Sequence, residues 1–294
     1  ALRRGNVRGA ITAGLTPRNG GKSTAEILEA AAAGKIECLV LLGADPLSDV
    51  PDADLARRGI SGARNIIAID TFITQSSALA DIVLPAAAYG EKEGTTTNVE
   101  GRISNVAQSI TPVGTSRPDW MIAVELGTAT SHDLGFASYN EVHAAMISGV
   151  SEFVPAIDTH AVEHDGVIVA HPTPIALTRA DGASNERNSY DYRAVVSRKL
   201  YDNAIGTAKS PSLATLGFSA AVIVNPLDVP RIGAQVGESV RVTSQRATLV
   251  LPLQESVDVL RGTAWLPINL SGSDARELLD VTKDVIDLKI EKMS

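Results

Sequence analysis

The sequence predicts an α/β fold: a parallel-sheet α/β region followed by a separate small β-barrel. Three observations lead there. Short apolar runs alternate with helix-forming stretches through the first 130 residues, the pattern of strands joined by helical crossovers. A polar, glycine-punctuated stretch then interrupts that alternation. In the last third, short β-branched runs recur between turn residues, the spacing of a barrel.

Taken in order, Thr24 to Ala33 has a Ser/Thr cap, strong helix formers and a stop at Gly34, which predicts a helix. Ile36 to Leu42 is an apolar run of the kind found in a strand buried on both faces. Asp52 to Arg58 predicts a short helix, Asn65 to Asp70 a second strand ending in an acid, and Asp81 to Leu84 a third. Tyr89 to Thr111 reads as a loop or hairpin, and Pro118 to Thr130 as an amphipathic helix with proline in its first turn. From His132 to about Ser210, prolines and small polar residues predict connecting structure, with a helix at Tyr139 to Ile147 and a short strand at Val167 to Ala170. Strands are then expected at 221–224, 239–243, 247–251 and 263–267, a short helix at Val229 to Ile232, and a helical or extended segment from Ser273 to Met293. The expected division is residues 1–130, a connecting region 131–205, and a barrel over 206–294.

Composition narrows the function classes. The 294 residues are 44% hydrophobic, enough for a core in each of two domains. Acidic side chains outnumber basic ones by 34 to 26, for a net charge of −8, so the chain has no overall electrostatic footprint for nucleic acid. The longest apolar stretches fall far short of the roughly 20 residues of a membrane span, which predicts a soluble chain without direct membrane insertion. Cys38 is the single cysteine, which rules out disulfides within the chain, a four-thiolate zinc site and an iron–sulfur cluster built wholly from these residues. The first residues lack an initiator Met and a secretory apolar core; the expectation is either processing or the later part of a longer polypeptide.

Several motifs suggest chemistry and then fall short of it. Gly20-Gly-Lys-Ser-Thr24 resembles the end of a phosphate loop, but the glycine required five positions before Gly21 is Thr16, so a helix-capping loop is expected. His160 and His164 have metal-like spacing without a convincing helix or third ligand, which favours a surface loop. Cys38, placed mid-strand, reads as a buried inert thiol. No Gly-x-Ser-x-Gly elbow is present, and Ser131-His132-Asp133 are neighbours in sequence, unlike a triad assembled in space. More telling are Gly43-Ala-Asp-Pro46 and Asp70-Thr-Phe-Ile-Thr-Gln75, which follow the first two strands at the ends where open α/β sheets bind ligands. Asp70 could accept from a ribose or guanine, or cap the next helix.

A family resemblance rests on an ordered set of segments. Gly43 to Leu47, Thr71 to Pro85, Glu91-Lys-Glu-Gly-Thr-Thr-Thr-Asn-Val-Glu-Gly-Arg102, Arg117 to Trp120, Asn225 to Gly233 and Val236 to Val242 resemble successive signatures of the molybdopterin oxidoreductase superfamily. Within it, the chain is similar to the large iron–sulfur G subunits of bacterial NADH:quinone oxidoreductase, respiratory complex I. The resemblance covers about residues 1–130 and 200–270. It implies that the closing barrel is a double-psi pterin-dinucleotide-binding-like domain. It also implies a non-catalytic scaffold role in electron transfer from NADH to quinone coupled to proton translocation, with no catalytic residue of its own. The partners would be other peripheral-arm subunits at the cytoplasmic face of the bacterial plasma membrane.

The resemblance further implies vestigial pterin-site positions. Asp45 and Asp70 match the strand-end positions near a guanosine, Glu93, Asn98, Glu100 and Arg102 the loop near the pterin, and Asn225 the barrel mouth. No cofactor is expected in this chain, and the family's iron–sulfur clusters would lie in an amino-terminal part that these residues do not contain. Ser197 to Gly206 lacks the His of the pattern that active molybdenum enzymes place there. The alternative is part of the catalytic subunit of a molybdopterin-dependent enzyme such as a formate dehydrogenase.

Overall fold

The computed structural model describes residues 5–17, 20–149, 166–168 and 190–293. Its first helices are α1 (Val7–Thr12) and α2 (Thr24–Ala32). The Gly20 to Thr24 motif ends in a capping box: Ser23 accepts from the Glu26 N–H while the Glu26 carboxylate takes the Ser23 N–H, so this segment starts a helix.

Strands β1 (Cys38–Leu42), β2 (Asn65–Asp70) and β3 (Ile82–Pro85) form a parallel sheet in that order. Between β1 and β2 run α3 (Pro46–Asp49) and α4 (Ala53–Gly62), the latter capped by Asp52. Helices α2 and α4 pack together at closely spaced small residues: a Cβ on Gly62 would collide with the Ala31 carbonyl, so glycine permits the approach. Leu39, Leu41, Ile60, Ile66 and Ala68 form the core beneath them.

The expectation that β1 is buried on both faces is corrected. Alternate residues of β1 are exposed, with Val40 and Leu42 at 52% and 56%. Within β1, only the face of Leu39 and Leu41 is covered by helices. Cys38 begins the strand and is exposed, not a buried mid-strand thiol. On the opposite face, α5 (Asp119–Ala129) covers Ile69 through Ile122, and Val40, Ile67 and Ile82 align across the three strands beyond that cluster. An apolar run of this length looks the same whether one or both faces are covered, because that depends on what packs against it.

The glycine-punctuated stretch is a hairpin, β4 (Gly94–Thr97) with β5 (Arg102–Val106), extended by β6 (Val167–Ile168). Asn6 bonds Thr97 through both backbone and side chain, which seats α1 on β4. Helix α6 (Tyr139–Gly149) follows α5. His160, His164 and His171 lie outside the described residues.

The last part is a closed six-stranded barrel. It comprises β7 (Tyr192–Arg198), β8 (Val222–Val224), β9 (Ser239–Thr243), β10 (Thr248–Glu255), β11 (Thr263–Ile268) and β12 (Asp287–Lys292), in spatial order β10-β8-β11-β7-β12-β9. Two neighbouring pairs are parallel and the others antiparallel. This mixed closed barrel, following a parallel α/β sheet, is consistent with the double-psi architecture. Strand β7 comes from the stretch read as connecting structure, because its pairing with β11, some 70 residues later, leaves no local signal. Short helices α7 (Ile205–Ala208), α8 (Pro211–Ala214) and α9 (Val229–Ile232) join the strands. The closing segment becomes a 3₁₀ turn, Ala275–Leu278, and then β12. Val222, Val224, Val240, Val242, Leu253 and Leu266 are among the side chains that fill the interior.

Candidate functional site

The seven candidate residues fall in three places. Asp45 and Asp70 stand at the carboxyl ends of β1 and β2, where an open parallel sheet presents its ligand crevice. Asp45 is engaged on both oxygens: Oδ1 accepts from the Ser76 N–H at 2.9 Å and the Ser76 hydroxyl at 2.5 Å, and Oδ2 from the Ser48 hydroxyl at 2.6 Å. It fastens the loop after β1 to the loop after β2. Asp70 Oδ1 accepts from the Thr71 N–H at 2.7 Å and, more weakly, from Phe72, an aspartate closing its own turn. Burial holds its carboxyl above the usual carboxylate range, against the lowering effect of those two N–H groups, and the Asp45 and Asp119 carboxylates push the same way.

Glu93, Asn98, Glu100 and Arg102 belong to the β4–β5 hairpin, and the hairpin divides them. Asn98, Glu100 and Arg102 sit at its turn, where Asn98 Oδ1 accepts from the N–H groups of Glu100 and Arg102. Arg102 faces Glu100 at 3.8 Å and donates to the Gly166 carbonyl. Glu93 stands at the opposite, open end, about four strand residues or ~13 Å away. There its charge, with burial as the larger cause, holds the Tyr139 hydroxyl above its ordinary value.

Asn225 lies on the barrel, donating to the Val259 carbonyl at 2.7 Å and accepting from the Leu227 N–H. It ties the turn after β8 to the loop before β11. The sheet ends, the hairpin turn and the barrel mouth each use their candidate side chains to hold local backbone.

Basic groups around the strand ends are likewise matched to acids. Lys92 pairs with Asp119, Arg117 with Glu125, and Arg198 with both Asp202 and Asp49. His132 is exposed, with Nδ1 2.7 Å from the Thr130 carbonyl, whereas His143 is buried and stacked on Tyr139. Among the described residues, no group of three or more His, Cys, Asp or Glu could hold a metal, and no helix is long and apolar enough to cross a membrane. An open cleft of about 410 Å³ lies elsewhere, on the barrel, lined in part by Ser244, Arg246, Leu278, Asp280 and Lys283.

Sequence reasoning missed the contacts between the two units. Asp52 meets Arg246 at 2.6 Å, Asp49 meets Arg198 at 3.0 Å, Arg57 meets Glu277, and Arg276 donates to the Val50 carbonyl. Asp52 was read as the start of a short helix, which it caps, but nothing local points to a partner 194 residues away.

Comparison with known proteins places the fold in context. Residues 4–129 match the Molybdopterin oxidoreductase family model. Over 278 residues the chain is 25% identical to the alpha subunit of the NADPH-Fe(3+) oxidoreductase of Geobacter sulfurreducens, covering 94% of this chain and 32% of that protein. It is 24% identical to the alpha subunit of the F420-dependent formate dehydrogenase 2 of Methanococcus maripaludis, covering 90% and 43%. It is 27% identical to the G subunit of the NADH-quinone oxidoreductase of Streptomyces coelicolor, covering 87% and 29%. The chain thus spans less than half the length of these relatives. Among solved structures, Acetylene Hydratase from Pelobacter acetylenicus superposes with a TM-score of 0.61 at 16% identity, over 93% of this chain and 47% of that one, a likeness of fold.

Proposed function

We propose, given that residues 4–129 are a molybdopterin oxidoreductase family region, that this chain is a non-catalytic scaffold of an electron-transfer complex. More finely, we read it as part of the large iron–sulfur G subunit of an NADH:quinone oxidoreductase, docked among the cytoplasmic peripheral-arm subunits. In support, a relative bearing that name aligns over 87% of the chain. The Glu91 to Arg102 segment and the altered segment Ser197 to Gly206 support it as well.

The observation that carries the scaffold reading is the occupation of Asp45. Its carboxylate already accepts three hydrogen bonds, two from Ser76 and one from Ser48, which gives it the role of fastening the two strand-end loops together. Among the described residues, the surroundings also support a reading without a bound pterin dinucleotide. That group is anionic and needs cations and N–H donors converging on its phosphates. Asp70 here lies under the influence of two further carboxylates, while Lys92, Arg117 and Arg198 are each paired with an acid. No step is therefore assigned to the cofactor. Electrons pass between clusters held elsewhere, and this chain would fix their positions and dock neighbouring subunits.

The second reading, part of a catalytic molybdenum subunit, is favoured by the formate dehydrogenase relative that aligns over 90% of the chain. Metal analysis of the purified full-length subunit separates the two: iron without molybdenum supports the scaffold, and stoichiometric molybdenum overturns it. In the assembled complex, Asp70→Ala and Glu93→Ala should leave NADH oxidation nearly unchanged. A large loss of turnover from Asp70→Ala with normal assembly would reopen the cofactor-binding reading.

A further inference from the structure

The clusters of buried apolar side chains described here each lie within one unit, those of the sheet between residues 27 and 126 and those of the barrel between 192 and 290. The contacts that join the two units converge instead on residues 49–57. Asp49 pairs with Arg198, the Val50 carbonyl accepts from Arg276, Asp54 faces Arg246 at 3.4 Å, and Arg57 pairs with Glu277. At their centre Asp52, only 2% exposed, does two things at once. Its Oδ1 accepts from the Leu55 N–H and caps α4, while its Oδ2 accepts from Arg246 at 2.6 Å and from the Val281 N–H at 3.3 Å. Arg246 also donates to the Leu279 carbonyl at 2.5 Å.

We propose that this Asp52–Arg246 node is a releasable ionic latch that holds the barrel docked on the sheet unit. Inter-domain interfaces held by polar contacts permit relative motion unless a large apolar area also binds them. Breaking one partner of a buried ion pair leaves a charge without compensation, so closure depends on both partners together. The arginine lines the open 410 Å³ cleft and its side chain is 27% exposed, so salt reaches the latch. The latch does not depend on the complex I reading, because it uses only contacts between the two units.

The single exposed cysteine supplies a probe. In the full chain carrying Lys292→Cys, one dye at Cys38 on the sheet and one on the barrel report the separation by energy transfer. Asp52→Asn keeps a good helix cap while removing the charge, so it tests the latch apart from α4. The expected result is that Asp52→Asn and Arg246→Gln each shift the docked-to-undocked ratio by about tenfold toward undocked, and that the double variant adds little to either. Raising NaCl should produce the same shift in the parent and a smaller one in the double variant. Energy transfer unchanged by Arg246→Gln, in a protein with parental far-UV circular dichroism, would overturn the latch. So would additive effects of the two substitutions.

Discussion

Ser76 stands fully buried between two strand ends, giving both its N–H and its hydroxyl to Asp45 while accepting from the Leu47 N–H at 3.0 Å. One aspartate and one serine thereby align the loops that follow β1 and β2. Asp45→Ala should lower unfolding free energy by about 1–3 kcal/mol, because it leaves a buried hydroxyl and N–H without an acceptor. Ser76→Ala should cost a similar amount. Denaturant titration of both singles and the double should give clearly less than the sum; full additivity would show that the two do not act as one unit.

Asp70 makes a prediction of opposite sign. Its folded pKa is raised above the ordinary 3.8 by burial, so its contribution to stability is present below that value and lost as pH rises through the raised one. Asp70→Asn keeps the Oδ1 acceptor for Thr71 and removes the buried charge. The variant should be more stable than the parent at pH 7, with the advantage shrinking as pH falls toward 3.8. Melting both proteins across that range checks it, and a variant less stable at pH 7 contradicts it.

In the sheet, Leu41 should matter and Val40 should not. Leu41 is 4% exposed against α2 and α4, and Leu41→Ala should cost about 2–5 kcal/mol. Val40→Ala, at a position more than half exposed, should stay within about 0.5 kcal/mol. In the assembled complex the same contrast should appear as lost assembly for Leu41→Asp. Equal effects at the two positions would mean that the outward face of β1 is covered in the full assembly.

Within the barrel, Asp228 is fully buried and its Oδ2 accepts from the Gly262 N–H at 2.7 Å. Asp228→Ala should destabilise by about 1–3 kcal/mol through the orphaned N–H. Faster hydrogen exchange at Gly262 would be the accompanying sign.

The local units were legible in the order of the amino acids. Strand β2 begins at Asn65 and ends at Asp70 as read from its apolar run, and α9 spans Val229–Ile232 as expected. Ser23 caps α2, and the glycine-punctuated stretch forms a hairpin. These are set by residues within a few positions of one another, through periodicity, capping hydrogen bonds and turn preferences, so they are written locally. Long-range packing decided that one face of β1 is exposed, that β7 completes the barrel beside β11, and that Asp52 reaches Arg246. It also decided that Asp45 commits both oxygens to loop serines. An apolar run states that a residue prefers burial, and a carboxylate that it needs partners; which neighbour meets either need depends on how elements far apart in the chain are packed together.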